Sequence, residues 1–312
     1  MVDMRVSIGN LTLQNPIMPG SGTFAEGMTK VIDLNRLGAI VTKTITNDLR
    51  EGNVPPRVAE LRGATLFSIG IPSKGPDHYI NELVPLYRNY TPPLIASISA
   101  NTIEEFGELA ARISVPGVVA IEANVSCPNL KKDGQAFGMD PQSTEEVIRA
   151  MKKSTDRQVW AKLSPNVGNV AAIAKAAEQG GADALVLANA ILAMAIDIGS
   201  FQPKVANLMG GITGNATKPI ILRMAYQSAQ AVSIPIIGCG GISTAEDALE
   251  YMLAGCTAVQ VGTANFISPN AMIRIIDDLT AFCERRGVTR IADLVGAMKV
   301  HEAKMLELRA GL

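Results

Sequence analysis

Eight short apolar runs punctuate the chain, and each ends in small, polar or glycine residues. Residues 16–19 run into Gly20-Ser21-Gly22-Thr23, residues 39–42 into Lys43-Thr44, residues 94–98 into Ser99-Ala100-Asn101, and residues 118–123 into Asn124. Residues 158–161 run into Lys162-Leu163-Ser164, residues 184–188 into Asn189, residues 234–237 into Gly238-Cys239-Gly240-Gly241, and residues 258–261 into Gly262-Thr263. Apolar runs without polar alternation mark strands buried on both faces, as in a parallel sheet covered by helices.

Helical spacing of apolar residues recurs between the runs, at 102–112, 143–153, 170–179, 220–231 and 244–253. Three of these segments carry Ser or Thr near the start with Glu or Asp in the first turn, and Gly180-Gly181 and Gly255 are placed to stop two of them. Eight strand-helix units predict a (β/α)8 barrel with its site at the C-terminal strand ends. A doubly wound open sheet is the competing architecture, but no GxGxxG follows the first strand. A polar-apolar alternation over 4–13 predicts an N-terminal hairpin. Three connections, 45–77, 126–142 and 190–218, are long enough to cover a site. No linker or low-complexity tract divides the chain, so one domain over 1–312 is expected.

A hydrophobic content of 47% supports a large core, and a net charge of -1 gives no general attraction to nucleic acid or anionic membrane. Cys127, Cys239, Cys256 and Cys283 lack CxxC spacing, and His78 and His301 are the only histidines, so no metal site is expected from this chain. No apolar run reaches membrane-spanning length, and the N-terminus leads straight into Val6-Ser7-Ile8-Gly9-Asn10, which predicts a soluble cytoplasmic protein.

The chemistry-bearing residues gather at the strand ends. Cys127 follows a buried strand, sits between Asn124 and Asn129, and precedes a polar loop. Lys43 and Lys162 end buried strands, where a lysine needs a partner: either a buried carboxylate or a bound anion. With Asn124 and Asn189 they predict a polar pocket for a negatively charged ligand. The glycines after strands 7 and 8, Gly240-Gly241 and Gly262-Thr263, lie where such barrels bind phosphate. Flavin mononucleotide (FMN) fits this set, with its phosphate on the glycines, a lysine at the pyrimidine edge of its ring and a cysteine moving one proton. A barrel acting on a sugar phosphate, or forming a Schiff base on Lys43 or Lys162, is the competing reading.

Along nearly its whole length the chain resembles the class 1 dihydroorotate dehydrogenases. The resemblance rests on Asn15-Pro16, Ser21-Gly22-Thr23-Phe24, Val41-Thr42-Lys43, Pro56-Arg57-Val58-Ala59-Glu60, Asn124-Val125-Ser126-Cys127-Pro128-Asn129 and Lys162-Leu163-Ser164-Pro165-Asn166. It continues through Met194-Ala195-Ile196-Asp197, Gly210-Gly211, Lys218-Pro219, Pro235-Ile236-Ile237-Gly238 and Val261-Gly262-Thr263-Ala264-Asn265-Phe266. Gly134-Gln135-Ala136-Phe137-Gly138 is similar to the NAD-linked subclass, whose barrel subunit pairs with a separate FAD and iron-sulfur subunit. A homodimer or heterotetramer is therefore expected.

The resemblance implies that dihydroorotate is oxidised to orotate in pyrimidine biosynthesis, with Cys127 taking the C5 proton and FMN the C6 hydride. It implies a catalytic role for Lys43, and cofactor contacts from Ser21, Lys43, Thr44, Asn124, Lys162, Gly214, Gly240, Gly241, Gly262 and Thr263. Substrate contacts would come from Lys43, Phe67, Ser68, Ile69, Gly70, Ile71, Asn124, Asn129, Asn189 and Ala190. Three positions depart from the family: Phe67 replaces an asparagine, Ala190 a hydroxyl residue, and Ser97-Ile98-Ser99 lacks an asparagine near the flavin. These departures raise the alternative of a paralogue acting on a less polar cyclic or α,β-unsaturated substrate.

Overall fold

The computed structural model describes residues 2–126 and 137–300. An antiparallel hairpin, β1 (Val6–Ile8) and β2 (Leu11–Leu13), opens the chain as expected. It is followed by β3 (Ile17–Pro19), β4 (Ile40–Val41), β5 (Val58–Leu61), β6 (Ala64–Phe67), β7 (Leu94–Ile98), β8 (Val118–Asn124), β9 (Gln158–Lys162) and β10 (Ala184–Leu187). Next come β11 (Ile191–Ala193), β12 (Ile196–Asp197), β13 (Gln202–Pro203), β14 (Gly210–Thr213), β15 (Ile236–Cys239) and β16 (Cys256–Val261).

The hydrogen-bonded order β3-β16-β15-β10-β9-β8-β7-β4 contains the eight expected strands, each pairing parallel with its neighbour. Between β3 and β4 the Gly38 N–H donates to the Ile17 carbonyl at 2.8 Å, which brings the two ends of the sheet together. A Cβ at Gly38 would lie 2.1 Å from the Asn15 carbonyl oxygen, so only glycine permits this approach. The fold is a (β/α)8 barrel. Below the barrel, Gln158 Nε2 donates to the Ile8 carbonyl at 2.9 Å and its Oε1 accepts from Trp160 Nε1 at 2.9 Å, which ties the hairpin to a buried strand. Trp160, Ile17 and Met18 are fully buried, each worth about 1.5–3 kcal/mol or more of hydrophobic stabilisation.

Helices α1 (Gly75–His78) and α2 (Val84–Tyr87) are short; α3 (Ile103–Ile113), α4 (Pro141–Ser154), α5 (Val170–Gln179), α6 (Lys218–Ala229) and α7 (Ala245–Leu253) are the five expected from spacing. Caps explain their starts. Thr102, Asp140 and Asn169 accept from the Glu105, Ser143 and Ala172 N–H groups, and Thr244 forms a reciprocal capping box with Asp247. α4 and α6 start two residues before the expected 143 and 220, because Pro141 and Pro219 are accommodated in the first turn. At the end of α5, Gly180 remains right-handed and Gly181, at φ +96°, makes the left-handed turn. After the short α8 (Ala264–Ile267), a further helix, α9 (Ala271–Arg286), lies beyond the last expected unit.

Two of the long connections carry structure of their own. β5 and β6 from the first, and β11 and β14 from the third, form an antiparallel sheet in the order β11-β14-β6-β5. Both connections leave C-terminal strand ends, so this sheet stands on the side of the barrel where a ligand would enter. Its register sets Gly211 opposite Phe67 on one side and Leu192 on the other.

Candidate active site at the barrel mouth

Lys162, at the end of β9, is buried, and its ammonium donates to Gln260 Oε1 at 3.0 Å and to Ser21 Oγ at 3.2 Å. The buried carboxylate considered as its partner is present: Glu122 Oε1 lies 3.9 Å away. Burial by itself would lower the lysine's pKa, but the Cys239 sulfur and Glu122 more than offset it, and the pKa lies above its ordinary value. Burial drives the Cys239 thiol upward, although the Lys162 ammonium beside it acts in the opposite direction. Lys43, at the end of β4, is half-buried with its side chain over Gly22: a Cβ there would lie 3.7 Å from Lys43 Cδ and 4.0 Å from Nζ.

Hydroxyls and amides extend this cluster across the mouth. Thr44 Oγ1 and Ser97 Oγ are 3.0 Å apart, and Asn124 Nδ2 reaches Thr44 Oγ1 at 3.4 Å. Asn124 Oδ1 accepts from Ser126 Oγ at 2.8 Å and from Asn189 Nδ2 at 3.2 Å. Ser99 Oγ donates to the Asn124 carbonyl at 3.1 Å. The serines that stand in place of the family asparagine are therefore wired into the same network.

Three glycine turns converge beside it. A Cβ on Gly241, at φ +68°, would meet the Gly214 carbonyl oxygen at 2.8 Å, and Thr263 Oγ1 donates to Thr213 Oγ1 at 3.2 Å. Gly240 is fixed by Tyr251, whose hydroxyl donates to its carbonyl at 2.8 Å. Asp247 organises the turn after Gly241 by accepting from the N–H groups of Ser243 and Thr244 at 2.9 and 3.0 Å. No oxygen among the described residues accepts from the N–H groups of Gly241, Ile242 or Thr263. Unused backbone donors around a glycine-lined concavity fit a phosphate. Lys218 is not such a donor, since its ammonium is held by Asp247 at 2.7 Å and Glu250 at 2.8 Å.

In the covering sheet and the strand-end turn beside it, Phe67 and Ala190 meet at Gly211. A Cβ on Gly211 would lie 2.5 Å from Ala190 Cβ and 3.3 Å from Phe67 Cζ. Ser68 accepts from Asn53 Nδ2 at 2.9 Å, the Ile69 carbonyl accepts from the Asn53 N–H at 2.9 Å, and Gly70 packs on Asn53. Ile71 is left-handed at φ 48°. This segment is thus braced against residue 53, and Phe67 supplies an apolar surface beside Ala190. Cys127 and Asn129 lie outside the described residues; the chain leading to them ends at Ser126, which is buried against Asn124 and Asn189.

Spacing alone did not single out Glu122, Gln260, Cys239 or Thr213 as site residues. Glu122 and Gln260 carry a legible signal, a polar residue inside an otherwise apolar strand, because such a residue needs a partner.

A barrel with a glycine cradle after its last two strands and a buried cation nearby is of the class that binds phosphate-bearing ligands at its C-terminal mouth. Within that class, a family model for dihydroorotate dehydrogenase matches residues 3–283, and the chain belongs to the dihydroorotate dehydrogenase family. A relative from Thermoanaerobacter sp. (strain X514), named dihydroorotate dehydrogenase B (NAD(+)), catalytic subunit, is 45% identical over 96% of this chain and 100% of its own. Proteins of the same name from Geotalea uraniireducens (strain Rf4) and Geobacter sulfurreducens are each 44% identical, over 95% and 96% of this chain and 98% and 99% of theirs. Enzymes of this family are FMN-dependent oxidoreductases acting on CH–CH bonds.

Proposed function

We propose that this protein oxidises dihydroorotate to orotate with bound FMN, as the catalytic subunit of an NAD-linked dihydroorotate dehydrogenase. The observation that carries the reading is the convergence of the Gly214, Gly241 and Gly262-Thr263 turns, with unused N–H groups, beside a mouth that holds a buried, charged lysine. Bound FMN supplies the two-electron acceptor for the hydride on C6 of the substrate. Gly214, Gly240, Gly241, Gly262 and Thr263 would hold its phosphate through backbone donors. Ser21, Thr44, Asn124 and Lys162 would contact the rest of it, with Lys162 keeping a positive charge at the ring.

Cys127 would take the C5 proton, so that one proton and one hydride leave the substrate. Asn124, Asn129, Asn189 and Lys43 would orient the ring and carboxylate, and residues 67–71 with Ala190 would form the remaining wall. The relatives' names favour dihydroorotate over a less polar substrate. Their designation as a catalytic subunit supports a separate electron-transfer partner, proposed to carry FAD and an iron-sulfur cluster. No helix among the described residues is long and apolar enough to cross a membrane.

The test is purification followed by release and chromatographic identification of the cofactor, together with orotate formation from dihydroorotate and an artificial electron acceptor. One FMN per chain and steady orotate production are expected. A protein that binds no added FMN contradicts the reading.

A further inference from the structure

We propose that Glu122 is a positioning residue that keeps Lys162 charged at the cofactor, so that the cofactor's reduction potential depends on a carboxylate which itself touches neither cofactor nor substrate. This rests on the reading that FMN binds beside Lys162. Glu122 is fully buried in β8, where the neighbouring residues are apolar. An acid placed there is costly unless paired, and each of its oxygens is engaged. Oε1 accepts from Ser97 Oγ at 3.0 Å, and Oε2 accepts from Gln260 Nε2 at 2.6 Å.

Gln260 connects the two charges. Its carbonyl oxygen accepts from the Lys162 ammonium at 3.0 Å while its NH2 group donates to Glu122, and this polarity suits an ammonium on one side and a carboxylate on the other. The groups facing Lys162 come from every side: Ser21 after β3, Gln260 on β16, Cys239 on β15 and Glu122 on β8. Lys43, stacked on Gly22 next to Ser21, adds a second positive charge and cannot stabilise the first. Cys239 also faces the ammonium, and burial raises its thiol. Glu122 is the one carboxylate within 4 Å of the Lys162 ammonium among the described residues; without it, burial would favour the neutral lysine.

The experiment measures the reduction potential of bound FMN across neutral to alkaline pH in wild type, Glu122→Gln, Lys162→Met and the double variant. Wild type should show only the pH dependence of the flavin itself. Glu122→Gln should add a steeper segment in which one extra proton is taken up per two electrons, roughly 30 mV per pH unit since a tenfold change is about 30 mV for a two-electron couple. That segment should vanish in the double variant. A Glu122→Gln profile parallel to wild type overturns the proposal while leaving the FMN reading intact. A Lys162→Met potential equal to wild type at every pH removes the lysine from the cofactor and overturns the proposal at its premise. Should Glu122→Gln not fold alone, thermal unfolding of the apoproteins decides. A double variant more stable than Lys162→Met shows the two charges coupled, whereas one less stable assigns Glu122 a purely structural role and overturns the proposal.

Discussion

Gly241 and Gly262 separate two ways of disturbing the proposed phosphate cradle. An alanine at Gly241 must adopt φ +68°, which costs a side-chain-bearing residue about 1–2 kcal/mol. Its Cβ would also lie 2.7 Å from Lys218 Cβ, 2.8 Å from the Gly214 carbonyl oxygen and 2.9 Å from the Lys218 nitrogen. Overpacking of this kind adds about 1–3 kcal/mol. Summed, Gly241→Ala should destabilise the apoprotein by about 2–5 kcal/mol, or about 4–10 °C at roughly 2 °C per kcal/mol for a chain of this size. It should also move the Gly241 N–H from the phosphate. Losing one charge-assisted hydrogen bond worth about 1.5–3 kcal/mol weakens FMN binding by roughly 10- to 100-fold.

At Gly262, by contrast, a Cβ would meet only Thr23 Cγ2 among the described residues, at an ordinary 3.8 Å. Gly262→Ala should leave apoprotein melting unchanged, and any loss of FMN affinity must then come from the ligand itself. Differential scanning fluorimetry of the apoproteins and quenching of FMN fluorescence on titration measure both quantities. Wild-type FMN affinity in both variants would refute the assignment of these turns to the phosphate.

Three further outcomes are expected. Cys127→Ala should keep FMN but slow its reduction by dihydroorotate by about 10²- to 10⁴-fold, with Cys127→Ser recovering part of the rate at high pH; stopped-flow absorbance checks this, and an unchanged rate removes Cys127 from the mechanism. Burial would raise Asp247, but Lys218 and the Ser243 groups bonded to it hold its carboxyl below the usual range. Its stabilising contribution is thus present above the unfolded carboxylate value near 3.9 and lost as pH falls through the lower folded value. Asp247→Asn should therefore cost about 1–3 kcal/mol at pH 7, and urea unfolding should show this deficit shrinking below about pH 4. Phe67→Ala removes a ring that packs on Gly211 beside Ala190; it should raise KM for dihydroorotate severalfold while leaving FMN affinity unchanged, and an unchanged KM would take Phe67 out of the substrate wall.

The barrel strands were legible because burial on both faces removes polar alternation, so residues 94–98 and 158–161 matched β7 and most of β9 directly. The covering sheet was not. β5 shows only an exposed-to-half-buried alternation over four residues, and β11 is three residues long, too short for a periodic signal. Among site residues, the strand-end lysines and amides could be named from position, and the structure brings Asn124 and Asn189 into contact. The Gly214 turn approaches Gly241 only through the fold, since the segments are distant in sequence and no local pattern links them. Glu122 stood inside an apolar run, and its importance emerged only when β16 brought Gln260 across the barrel to it.

The central claim, oxidation of dihydroorotate by FMN in this barrel, is tested most directly by adding dihydroorotate to the FMN-loaded protein without oxygen. The yellow absorbance of the bound flavin should bleach, with one orotate formed per flavin. Absorbance that persists with dihydroorotate but bleaches with dithionite would contradict it.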